Sequence, residues 1–140
     1  MGSDMYRQQI LDHYKNPRNY GELAAPTFAH EGHNSSCGDD LRFEVELGED
    51  EETIEDVAFT GEGCAISQAS ASLFSEAIKG ESVDAVLGMD RDDVLDLLGV
   101  EVTPMRVKCA VLAEKVVQDG VELYRAGETP AEAADTTTEE

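Results

Sequence analysis

Apolar positions along this chain change period partway, and the change separates a strand-rich half from a helical half. Tyr6, Ile10 and Tyr14, with Leu11 beside them, recur at helical spacing and predict a helix over 6–14 that Asn16-Pro17 stops. Residues 19–26 read as a loop and 27–34 as an edge strand. Ser35-Ser36-Cys37-Gly38-Asp39 then has turn chemistry. Leu41, Phe43, Val45 and Leu47 alternate with Arg42, Glu44 and Glu46, the pattern of a half-buried strand. An acidic hairpin turn at 48–53 leads into a third strand over 54–60. Three sequential strands with short turns predict an antiparallel meander.

After Gly61-Glu62-Gly63 the period becomes helical. Ile66, Ala69, Leu73 and Ala77 predict a helix over 65–79 that ends at Gly80. Short helices follow over 82–87, with Ser82 as N-cap, and over 90–98. Thr103-Pro104 opens the last long helix as N-cap and first helical residue, and Val107, Val111, Leu112 and Val116 carry it to about Arg125. The order α-β-β-β-α-α-α-α predicts an α+β domain, a three-stranded antiparallel sheet with helices packed on one face. A length of 140 residues suits one domain. Its expected extent is 1–126, followed by an acidic tail over 127–140 that has no large apolar residue and is expected to be disordered.

Charge narrows the function classes. Thirty-one Asp and Glu against ten Lys and Arg leave a net charge of −21. Nucleic-acid partners require a basic face, so they are excluded. No stretch approaches the ~18 consecutive apolar residues of a membrane span. Residues 1–9 lack the basic-then-apolar layout of a signal peptide, and Tyr6 stands where a myristoylation signal needs Ser or Thr. A soluble cytoplasmic chain without a membrane partner is expected. Its acids are dispersed, at 49–52, 90–93, Glu44 and Glu46, like a solvated surface. So high a charge repels itself unless salt screens it, with a Debye length of ~3 Å at 1 M. A saline, halophilic cytoplasm accounts for this best; an ordinary acidic protein is the alternative.

Cys37, Cys64 and Cys109 are an odd set without a CxxC pair, which argues against a disulfide framework. Spacing alone leaves open three buried thiols, a metal site and a lone nucleophile. Placement says more. Cys37 falls in the turn between the first two strands, Cys64 where the third strand gives way to a helix, and Cys109 in the second turn of the last helix. All three can meet at one end of the sheet. Unpaired N–H groups at a helix start favour negative charge at Cys64. Arg106 lies one turn before Cys109, and Lys108 is adjacent. Asp39, two residues after Cys37 across a glycine, adds a carboxylate, the alternative being an Asx-turn residue. Three thiolates and one carboxylate make a tetrahedral Cys3Asp set, suited to Zn2+ or to half of an iron–sulfur cluster.

Four segments carry a resemblance to a known family. They are Leu11-Asp12-His13-Tyr14-Lys15-Asn16-Pro17-Arg18-Asn19, Asn34-Ser35-Ser36-Cys37-Gly38-Asp39, the run from Gly61-Glu62-Gly63-Cys64 through Ser72, and Arg106-Val107-Lys108-Cys109-Ala110. In this order they closely resemble the NifU-type iron–sulfur assembly scaffolds of the IscU/SufU family, with all three cysteines and the aspartate matched. The resemblance implies an α+β scaffold fold and a role in iron–sulfur biogenesis. It implies Zn2+, or Fe2+ and a [2Fe–2S] cluster, at Cys37, Asp39, Cys64 and Cys109. It also implies sulfur received from a SufS/IscS-like cysteine desulfurase, with apo iron–sulfur proteins as recipients. IscU-type members carry a histidine before the third cysteine, in a stretch that an Hsp70-type chaperone grips. The corresponding stretch here ends Arg106-Val107-Lys108-Cys109, a SufU-like form. Its separation from Cys64 is short, nearer to IscU, because the insertion of the SufU members best known as zinc-dependent acceptors is missing. The motif weighs more, since Lys108 sits beside the site.

Other polar residues read as structural. His13 is expected at the polar end of the first helix in a surface or capping role, and His30 and His33 fall in the edge strand, with His33 the nearer to Cys37. Ser67, Ser70 and Ser72 read as small packing residues. Arg106 is the polar residue expected to serve function, pairing with a freed thiolate or persulfide, and Cys37 is by resemblance the sulfur acceptor. Three function classes follow: a scaffold that builds and releases a cluster, a zinc-dependent sulfurtransferase-type acceptor with no cluster of its own, and a structural zinc module.

Overall fold

The computed structural model describes residues 2–34, 38–99, 104–127 and 135–137, with side chains described over 7–34, 38–99 and 107–127. Helix α1 (Gly2–Lys15) precedes the meander β1 (Phe28–Asn34), β2 (Asp39–Leu47) and β3 (Ile54–Glu62). Helices α2 (Ala65–Ile78), α3 (Val83–Leu87), α4 (Arg91–Leu98), α5 (Pro104–Ala110) and α6 (Leu112–Arg125) follow, and then a short strand β4 (Asp135–Thr137). The strand order is β3-β2-β1-β4. The first three strands pair antiparallel, with Phe28 opposite Val45 and Phe43 opposite Phe59.

Strict alternation in β2 puts Leu41, Phe43, Val45 and Leu47 against the helices, all buried. Phe43 stacks on Phe59 at 5.5 Å and meets Phe74 of α2 edge-on at 6.4 Å, which ties the sheet to α2. Each such ring contributes about 1.5–3 kcal/mol by leaving water. The stripe Leu112, Val116, Val117 and Val121 packs α6 over the same cluster. Ser82 caps α3 by accepting from Ala85 N–H, as expected, and Asp90 with Asp93 forms a capping box on α4. None of the described helices is long and apolar enough to cross a membrane.

Two features depart from the sequence expectations. The last helix is two helices, α5 and α6, broken at Val111 (φ −99°, ψ 4°). The reason lies next door: Ser70 Oγ donates to the Ala110 carbonyl at 2.5 Å, drawing that oxygen toward α2. Within the segment expected to be a disordered tail, Asp135–Thr137 pairs in parallel with β1, Thr136 opposite Gly32. The outer edge of β1 presents unpaired N–H and C=O groups, and a Thr-containing segment satisfies them.

Candidate metal centre

Asp39 is the first residue of β2, Cys64 the N-cap residue of α2, and Cys109 sits in the second turn of α5. Strand, helix start and helix interior therefore deliver one ligand each to the same end of the sheet. One ligand atom from each of the three lies within 4.8 Å of the others. Asp39 and Cys109 are fully buried, while Cys64 is half-buried and keeps an accessible side.

Local sequence explains the convergence. Gly38 adopts the left-handed φ of +72° and donates its N–H to Asn34 O at 2.8 Å, turning the chain into β2. Gly63 leaves no room for a side chain, since a Cβ there would collide with Asp39 Oδ1 and Ser67 Oγ. Asp39 Oδ1 accepts from Cys64 N–H at 2.9 Å, so the carboxylate is held at the positive end of α2. Ser67 Oγ donates to Cys64 O at 3.2 Å and fixes the first turn.

The donor set fits a divalent ion. Tetrahedral zinc at about 2.3 Å from sulfur and 2.0–2.2 Å from oxygen holds its ligands roughly 3.4–3.8 Å apart, a small contraction of the observed group. Once reduced and ionised, buried Cys109 and half-buried Cys64 would join buried Asp39 in placing three negative charges in one small volume, an arrangement that a cation stabilises. Cys64 is a free thiol. Cys109 is disulfide-bonded in the structure, so the metal-binding state is the reduced one. A bond at a ligand position is not the disulfide framework that the odd cysteine count argues against.

The structure thus brings together Asp39, Cys64 and Cys109 of the expected set. Cys37 lies outside the described residues. Arg106 lies on α5 one turn before Cys109, and its side chain is outside the described ones. His33 faces the other way: its Nδ1 meets Asp40 Oδ1 at 2.5 Å on the solvent side of the sheet, opposite Asp39. His13, expected at the surface, is buried, with Nδ1 at 2.7 Å from Ser72 Oγ, which also accepts from Arg18 N–H. Burial lowers the pKa of His13, and Arg18 adds to this. Ser70 and Ser72 are therefore hydrogen-bonding residues as well as small ones, a role their spacing does not reveal.

A short antiparallel sheet with helices on one face and a thiol–carboxylate set at its end defines a small α+β metal-site protein. The NifU-like N-terminal domain family matches residues 5–131, and the chain belongs to that family. It is 41% identical over 134 residues to the zinc-dependent sulfurtransferase SufU of Bacillus subtilis, a match covering 84% of this chain and 89% of the relative. It is 31% identical over 128 residues to the iron–sulfur cluster assembly scaffold protein IscU of Escherichia coli, covering 86% and 94%. Among solved structures, a putative iron–sulfur cluster assembly scaffold protein for the SUF system from Fervidobacterium islandicum superposes with a TM-score of 0.67 at 30% identity, covering 84% of this chain and 98% of that one.

Proposed function

We propose that the chain is an iron–sulfur cluster assembly protein that accepts sulfur from a SufS/IscS-like cysteine desulfurase in the cytoplasm. A cluster is then assembled or passed on to apo proteins at a Cys3Asp site of Cys37, Asp39, Cys64 and Cys109, within a domain spanning 1–126. The observation that carries this is the meeting of Asp39, Cys64 and Cys109 from three separate elements within 4.8 Å. Cys64 and Cys109 supply soft thiolates for iron or zinc. Asp39, a hard ligand already held through Oδ1, is the exchangeable one, and a fourth thiolate would make release slow. Bound Zn2+ would keep the thiols ionised and ordered. Arg106 steadies the thiol set free during transfer, and its planar fork engages two acceptors where lysine offers a point charge.

A second reading, a zinc-dependent sulfurtransferase-type acceptor without its own cluster, is favoured by the Arg106-x-Lys108-Cys109 form and by the higher identity to the zinc-dependent relative. One experiment separates the readings. Reduced protein is given a cysteine desulfurase and cysteine, and persulfide on Cys37 and metal content are read; Fe2+ and a thiol reductant, which turns the sulfane sulfur into sulfide, are then added and cluster absorbance is followed. Cluster growth supports the scaffold, whereas persulfide on a zinc protein without cluster supports the acceptor. Cys64→Ala and Cys109→Ala are expected to lose metal while folded; full zinc or iron in both overturns the site. Arg106→Ala is expected to keep metal but take up sulfur roughly tenfold more slowly, with partial rescue by Arg106→Lys. We also propose a saline cytoplasm as the setting of the −21 charge.

A further inference from the structure

Gln68 carries a buried amide that the proposed chemistry leaves unused. The residue is only 8% exposed, and its Nε2 is enclosed with no hydrogen-bond partner among the described residues. A buried donor without an acceptor carries its full desolvation penalty, and an aliphatic side chain of equal length fills the same space without it. The position is one turn after Cys64 on the same side of α2, with Gln68 N–H donating to Cys64 O at 3.0 Å. Helical side chains lean toward the helix N-terminus, so a residue here covers the turn that bears Cys64.

We propose that Gln68 is a positioning residue of the metal centre, its Nε2–H donating to a site sulfur, Cys64 Sγ by spacing, when the centre is loaded with metal. This rests on the metal-centre reading. No sulfur of the described residues stands in hydrogen-bond position to Nε2 in this structure, so the bond forms as metal loading draws the ligands together, a metal-bound thiolate being the stronger acceptor. Such an outer hydrogen bond stabilises charge on sulfur and reduces its donation to the metal.

The signature is an opposite effect on the two states. Gln68→Met keeps length and removes the donor. In the reduced full chain it is expected to leave the apo melting temperature unchanged or raised, to lower zinc affinity about tenfold against a chromophoric chelator, and to shift the sulfur-to-cobalt charge-transfer band of the Co2+ form. Gln68→Leu is expected to repeat all three. Unchanged affinity and band in both variants overturn the proposal alone, and so does a fall in apo stability in both, which would make Gln68 a packing residue. A wild-type protein without a cobalt–thiolate band overturns the metal-centre reading and this inference with it.

Discussion

Glu114 illustrates how a single residue's environment outweighs its type. It is a carboxylic acid on α6, 6% exposed, and burial raises its pKa; Gln118 opposes this by donating to Oε2 at 3.2 Å, while Asp90 and Asp93 add to it. A folded pKa above the unfolded one means that the native state holds the proton more tightly. Stability from this group is therefore complete below the ordinary value of 4.5 and is lost as pH rises through the folded value. Glu114→Gln keeps an acceptor for Gln118 and removes the charge. At pH 7 it is expected to raise the melting temperature by a few degrees, an advantage that vanishes near pH 4; thermal melts across that range check it. At this scale the sequence exposes the meeting of Asp39, Cys64 and Cys109 well, because Asp39 and Cys64 stand where a strand and a helix begin. It conceals burial of polar groups, since nothing in the spacing of His13, Gln68 or Glu114 says which helix will cover them.

Among the elements, the junction of α5 and α6 has the most consequence for the site. Apolar spacing runs through Val107, Val111 and Val116 without interruption, so the pattern reads as one helix. The break comes from a hydrogen bond across forty residues, Ser70 to Ala110, which no local pattern encodes. Strand boundaries and caps, in contrast, are local and were legible: alternation in β2, Ser82 before α3, Pro104 at the start of α5. Since Ala110 follows Cys109, Ser70 also sets where that sulfur stands. Ser70→Ala is expected to cost about 1 kcal/mol of stability. It should also weaken zinc binding more than a Ser75→Ala control, whose hydroxyl bonds to Ser72 O away from the ligands. Equal affinity in the two variants would mean that the break does not position Cys109.

For the whole molecule, the dominant quantity is the charge of −21 on 140 residues. Its cations are partly committed, with Arg18 on Asp12, Lys79 near Asp56 and Arg125 on Asp84, all exposed pairs worth little each. Repulsion among the remaining acids opposes compaction and is screened by salt. Melting temperature is therefore expected to rise by several degrees between about 0.1 M and 2 M KCl, most of the gain coming from screening. An unchanged midpoint would leave the acidity without a stabilising rationale. Fold class was readable because the change of hydrophobic period is a property of the whole chain. The parallel pairing of β4 was not, since Asp135–Thr137 offers only three residues and a composition typical of solvated chain.

That late strand bears on how the protein is made. Synthesis runs from the N-terminus, so β1, β2, β3 and the helices that carry Asp39, Cys64 and Cys109 leave the ribosome before Asp135–Thr137 does. During that interval β1 offers an uncovered row of backbone donors and acceptors from Glu31 to His33. Edges of this kind pair readily with other chains, and a net charge of −21 repels neighbours of the same sequence until each chain caps its own sheet.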